Sequence, residues 1–298
     1  GDEVIVPDLT IISCALAILY TGATPVLADV EQVTGNIDPK QIEEKITKKT
    51  KAIIVAHLYG HPADMDSILS IARKHKLLVI EDAAEAHGAE YKNKKVGGIG
   101  DVGCFSFYGN KIVTTGEGGM VVTNNKKIFE KAKLLKDLAH SPKRRFLHEE
   151  IGFNYRMTNL QAALGLAQLE EVDKFIDKKR WMASLYNRGL LGIPNIELPN
   201  EQPWAKSIYW MYALKTKKDS PITKDKLRKR LLTLGVDTRD FFYPLHQQPV
   251  LRRLLFRKEK YPISTDLSER GFYIPSGLAL TKEQVSKVIE SVKKATKS

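Results

Sequence analysis

Short apolar runs alternate with amphipathic stretches along the first half of the chain. Runs at 4–7, 25–30, 52–58 and 77–80 are compact and β-rich. Between them, 10–20, 39–47 and 66–75 have helical patterning. Asp38 before Pro39 marks a helix start. The aspartate accepts from a free N–H group, and the proline has no N–H to waste at the first position. Strands and helices alternating with crossover-length connections predict a largely parallel sheet with helices on both faces.

The densest pattern lies at 77–124. The run at 77–80 ends in Glu81 and Asp82, and a run at 102–108 ends in Gly109, Asn110 and Lys111. A Thr/Gly-rich loop and a third run at 120–123 follow. Three β-rich runs broken by glycines predict strands of a buried sheet. Strand ends of such a sheet are where ligands bind, so Asp82 and Lys111 are candidates to meet over one ligand. The loop lacks Lys-Ser/Thr after its last glycine, so it reads as a tight turn and not as a Walker A motif.

Beyond it, 126–139 reads as a helix and 140–150 as a basic, polar loop. Thr158 or Asn159 caps a helical run at 160–169, continued by a long helix through Arg180. The pattern changes near Arg188, with prolines at 194, 199 and 203. A strand at 209–215, a helix at 223–234 ended by Gly235, a strand-like run at 236–243 and a helix at 281–297 follow. The expectation is a large α/β domain over 1–187 and a small α+β domain over 188–298.

Composition changes this picture little. The 298 residues are 43% hydrophobic and 28% charged, with a net charge of +12. The lysines are scattered over helical segments without an arginine-aromatic stripe, so the charge reads as solvated faces and not as a nucleic-acid site. Cys14 and Cys104 lie in apolar stretches, which favours buried reduced thiols and a cytoplasmic protein. No apolar run approaches the ~18 residues of a membrane span. His57 and His61 have no cysteine or acid cluster beside them, so they read as part of a structural loop and no metal is expected.

From chemistry alone the candidates keep plain alternatives. Lys111 is a solvated charge or a nucleophilic amine. Asp82 is a strand-end cap or salt bridge, or the partner of a protonated ring nitrogen. Glu85 is a solvated acid, Ser106 a packing residue and Asn154 a helix cap. His87 is a core histidine or a hydrogen-bond partner of Asp82.

The runs EDAAEAHGA at 81–89 and FSFYGNKIVTTGEGGM at 105–120 resemble the DegT/DnrJ/EryC1/StrS sugar aminotransferases, pyridoxal-phosphate enzymes of fold type I. The resemblance extends over essentially the whole chain. It implies pyridoxal phosphate attached to Lys111, Asp82 paired with the ring nitrogen, Glu85 over the ring and Ser106 on the phosphate. Asn154, in the run FNYRM, is implied to reach the phosphate in a neighbouring subunit, hence a homodimer with shared active sites. Tyr243 and His246, in DFFYPLH, are implied contacts to a sugar nucleotide, with Phe241 and Phe242 equally readable as core. Lysine at 111, where a related dehydratase branch has histidine, implies transamination. The implied reaction moves an amino group from glutamate to a nucleotide-linked 4-keto-6-deoxysugar, with 3-amination as the alternative. The resemblance also implies a further N-terminal portion, with a glycine-threonine phosphate loop, ahead of Gly1. A chain without it is expected to lack part of the cofactor pocket, so an impaired fragment is the competing expectation.

Overall fold

Apolar, largely β-branched segments pair side by side to form the main sheet. In the computed structural model, which describes residues 1–255 and 259–297, five strands run parallel. They are β1 (Glu3–Pro7), β2 (Thr24–Ala28), β3 (Thr50–Ala56), β4 (Leu78–Asp82) and β5 (Val102–Ser106). β6 (Gly119–Val122) joins antiparallel, and the order is β2-β1-β3-β4-β5-β6. Ile5, Ile53 and Val55 are fully buried in the sheet.

Helices α1 (Ser13–Tyr20), α2 (Pro39–Lys45) and α3 (Met65–His75) form the crossovers. Asp38 caps α2 by accepting from the Lys40 N–H, and Asp64 caps α3 through Ser67. Helix α4 (Lys126–Leu135) follows β6.

Two expectations need correction. The run at 120–123 does form β6, but at the sheet edge. Met120 and Val121 are about half exposed, because the 107–118 connection holds no helix to cover them. The basic loop at 140–150 contains a paired ribbon, His140–Ser141 with Arg144–His148. Its order comes from side chains, since His140 Nδ1 accepts from the Phe146 N–H and His148 Nδ1 lies 2.7 Å from the Leu138 carbonyl. The expected helical run at 160–169 and the long helix after it form α5 (Asn159–Leu169) and α6 (Val172–Leu190), separated where Glu171 leaves helical backbone geometry. Thr158 closes a capping box with Gln161 at the start of α5.

A second antiparallel sheet holds β7 (Ile196–Glu197), β8 (Tyr212–Thr216), β9 (Arg239–Asp240) and β10 (Gly271–Ile274), in the order β7-β8-β10-β9. The strand-like run at 236–243 therefore pairs only at β9. Helices α7 (Lys224–Thr233) and α10 (Lys282–Ala295) carry apolar side chains into the core of this sheet. Between β9 and β10 the chain returns to the first sheet through α8 (Pro249–Leu255) and α9 (Pro262–Arg270), and Leu245, Leu251 and Tyr261 pack there with Val6, Ile18 and Leu27. Helix α6 serves both cores: Ile176 is buried in the first, and Met182, Tyr186 and Leu190 in the second.

One buried carboxylate fixes the site end of the first sheet. Glu81 is fully buried and accepts from the backbone N–H groups of Gly97, Ile99 and Gly100 at 2.6–2.7 Å. His57 Nδ1 accepts from the Ala63 N–H, which leaves the Nε2 proton for Glu81 at 3.1 Å. Gly97 (φ +85°) and Gly103 allow this loop to lie against β5, since a Cβ on Gly103 would stand 1.9 Å from the Gly97 carbonyl.

Burial alone would raise the Glu81 pKa, but the His57 bond and the glycine N–H groups outweigh it and hold it below the usual range. A depressed carboxylate stabilises the fold above its unfolded pKa and loses that contribution as pH falls through the folded value. Glu81→Gln is therefore expected to cost about 2–4 kcal/mol at pH 7. The difference from the unsubstituted chain should shrink below about pH 4.5. Urea unfolding across pH 3–7 measures both.

Candidate active site

Strand pairing brings the predicted acid and amine together. Asp82 ends β4 in register with Cys104 of β5, and the Ala83 N–H donates to the Cys104 carbonyl. Beyond β5 the chain turns tightly, with the Lys111 N–H on the Tyr108 carbonyl. The loop is held from two sides. Thr115 N–H and Thr114 Oγ1 donate to the Phe107 carbonyl, and Gln168 of α5 bonds both backbone groups of Thr114. The glycine run at 116–119 is thus the tight turn expected of it.

The Lys111 side chain is about nine-tenths buried, with Nζ 3.9 Å from Glu85 Oε1 and 3.9 Å from the centre of the Trp210 ring. Burial pulls its pKa below the ordinary lysine range, against the opposing charges of Glu85 and Asp82. Glu85 is buried and accepts from the Tyr59 N–H at 2.8 Å. Burial raises its pKa to about 7, although Lys111 and the Tyr59 N–H pull the other way. The solvated-acid alternative for Glu85 is set aside by this burial. Tyr59 (φ +53°) lies beside Trp210 and Phe242, and its hydroxyl accepts from the Phe242 N–H.

Asp82 takes one bond from the Ala84 N–H and one from the Cys14 thiol, both at 3.0 Å. His87 does not bond Asp82. Its ring lies near Phe105 and Phe107, burial and then Lys111 push its pKa down to about 4, and its buried Nε2 has no hydrogen-bond partner. Ser106 ends β5 and accepts from the Tyr108 N–H.

The remaining candidates lie elsewhere. Asn154 is exposed beside the end of α4, bridged through its backbone to Asp137. Tyr243 is exposed on the segment after Phe241 and Phe242. His246 is engaged with buried Asp8: its N–H bonds Oδ1 and its Nδ1 lies 2.6 Å from Oδ2. His57 serves Glu81, while His61 bonds the Pro62 carbonyl and the Gln202 N–H. Among the described residues no group of His, Cys, Asp and Glu could hold a metal ion.

A cleft of about 490 Å³ opens beside Lys111, with Trp210, Arg239, Tyr273 and Ser276 in its walls. Sequence reasoning missed Trp210, Tyr59 and Cys14. All three reach the site across long separations in the chain, and nothing in their local runs distinguishes them from core residues.

Comparison with known proteins agrees with this geometry. The family model described as DegT/DnrJ/EryC1/StrS aminotransferase matches residues 1–293. The GDP-perosamine synthase of Escherichia coli O157:H7 is 44% identical over 292 residues, 98% of this chain and 78% of that protein. S. venezuelae DesV, solved in complex with a ketimine intermediate, superposes with a TM-score of 0.93 at 34% identity, covering 100% of this chain and 79% of that one. Spr1654 of Streptococcus pneumoniae, solved in its PLP form, gives 0.92 at 25% identity, covering 99% of this chain and 81% of that one. The chain belongs to the DegT/DnrJ/EryC1/StrS aminotransferase family and is, with it, a pyridoxal-phosphate-dependent sugar aminotransferase.

Proposed function

We propose that this fold type I enzyme transfers an amino group from glutamate to a nucleotide-linked 4-keto-6-deoxysugar. The observation that carries the reading is the desolvated Lys111 amine 3.9 Å from Glu85, at the end of the strand adjacent to Asp82. The likeness to a GDP-perosamine synthase supports the sugar and the site of amination.

The residues present fit pyridoxal phosphate. Lys111 offers an amine with a depressed pKa for attachment, Asp82 a carboxylate for the ring nitrogen, and Ser106 a hydroxyl for the phosphate. The buried His87 Nε2 is a polar atom left without a hydrogen-bond partner. Bound, the cofactor supplies an electron sink for the carbon that loses a proton. Asp82 keeps the ring nitrogen protonated, and the Cys14 thiol steadies Asp82. The Lys111 amine, when free, would take the proton from the donor α-carbon and deliver it to the cofactor C4′ carbon. Tyr243 and His246 are assigned to the sugar-nucleotide side. Glutamate and each of several keto-sugar nucleotides, with products read by mass spectrometry and NMR, test the substrate. A 4-amino-6-deoxy product is expected, and a 3-amino product would overturn the assignment.

Glu85 supplies a pH signature. Its proton is lost as pH rises through about 7, and the carboxylate so formed favours the Lys111 ammonium. Glu85→Gln is expected to remove the limb near pH 7 from the kcat/KM profile and to lower the pH at which Lys111 loses its proton. Steady-state kinetics over pH 5.5–9.5 shows both.

We further propose a cytoplasmic homodimer with shared active sites. Among the described residues, no helix is long and apolar enough to cross a membrane, and both cysteines are free. Apolar side chains are exposed on β6 (Met120 and Val121), on α5 (Leu160 and Leu164) and beside Asn154 (Phe153 and Tyr155). Such exposure marks association surfaces, and a second copy of the chain would bring its Asn154 to the first copy's cofactor phosphate. Hybrids of Lys111→Ala and Asn154→Ala chains carry one site with both lesions and one with neither. Activity is expected to return on mixing two inactive variants. No recovery in hybrids verified by native mass spectrometry would count against the shared site.

A further inference from the structure

Lys179 of α6 is 2% exposed, and burial alone pushes its pKa down to about 7, with no carboxylate acting on it. Its amine donates to the Trp210 carbonyl at 2.7 Å and to the Ser276 carbonyl. These carbonyls lie where the small sheet opens. In the β8–β10 ladder Tyr212 faces Ile274, so the same register would next set 210 against 276. The pairing stops at Tyr212 and Ile274, two positions short of that pair, so neither carbonyl has its ladder partner. The lysine amine takes the place of the missing ladder bonds.

This arrangement does not need the charge. An ammonium has three N–H donors, and a neutral amine keeps two, one for each carbonyl. A lysine held by two carbonyls, without a counter-ion, is therefore suited to tethering. A core requirement alone would be met by an apolar side chain, without the cost of burying an amine.

The tethered residue is the one that covers Lys111. The Trp210 ring lies over Lys111 Nζ at 3.9 Å, and its Nε1 donates to the carbonyl of neighbouring Asn110 at 2.9 Å. We propose that Lys179 is a positioning residue for the active-site lysine: its amine holds the Trp210 backbone against the Ser276 segment and so keeps the indole over the Lys111 amine. The proposal rests on Lys111 as the reactive amine. The charged groups that act on Lys111 are Glu85 and Asp82, with His87 neutral beside them. None is bonded to Lys179, so its effect on Lys111 runs through the indole and the water it excludes.

The test is competitive acetylation of the cofactor-free chain across pH 6–11, read at Lys111 by peptide mass spectrometry. In Lys179→Met the Lys111 midpoint is expected to rise by about one pH unit, a tenfold loss of free amine at a given pH, as water reaches it. Lys179→Arg, which keeps the donors, should hold the original midpoint. Trp210→Leu should shift the midpoint by the same amount, and adding Lys179→Met to it should shift it no further. Should the methionine variant fail to fold, Lys179→Gln, with its donors on a shorter stem, takes its place with the same expected shift. An unmoved midpoint in a folded variant, equal shifts in the arginine and methionine chains, or additive shifts in the double variant would each overturn the proposal. Borohydride trapping with pyridoxal phosphate, mapped by mass spectrometry, reports separately whether Lys111 is the attachment residue.

Discussion

The buried Glu81 carboxylate is the constraint on which the site end of the sheet depends. It gathers three backbone N–H groups of the 97–100 loop and the His57 ring into one set of bonds. That loop lies against β5 at Gly103, so the same bonds brace the strand that leads to Lys111. Successive residues of a strand point to opposite faces. Glu81 is thereby committed to the loop, and Asp82, its neighbour, points to the opposite face, where it meets the Cys14 thiol. Two adjacent acids of the same charge thus have different surroundings, set by the pleat.

Desolvation sets the electrostatic character of the pocket. It pushes Lys111 down, Glu85 up and His87 down, each toward its neutral form. Opposing charges limit the shift at Lys111 and Glu85 but do not reverse it. Of the three, Glu85 is the group brought near neutral pH. The aromatic cover of Tyr59 and Trp210 contributes directly to that dryness.

Much of this was legible in the sequence where the signal was local. Asp38-Pro39 announced a cap that the structure forms, and alternating runs announced the parallel sheet. Strand-end polarity was enough to bring Asp82 and Lys111 into one neighbourhood. What could not be read depends on distant partners. Cys14 meets Asp82 across 68 positions of sequence, and a thiol in an apolar helix looks the same with or without such a partner. The exposure of β6 was hidden for a related reason, because Met120–Val122 has the composition of a buried strand and only its edge position leaves it uncovered. The 140–150 ribbon was masked by its charges, whereas its order comes from two histidine rings bonded to backbone.

The strand order of the smaller sheet bears on how the chain acquires its shape. β10 is the last strand in sequence, yet it lies between β8 and β9. A ribosome releasing the chain from its N-terminus delivers β1 to β5 early, with crossover helices between the first four. The smaller sheet has no centre until residues 271–274 have emerged, so β8, paired only with β7, keeps one edge open and β9 waits unpaired. Such late, non-local closure is slow and leaves apolar surface open meanwhile. A chain interrupted shortly before β10 would carry the main sheet with its Asp82 and Lys111 strands, and still lack the strand that completes the second core.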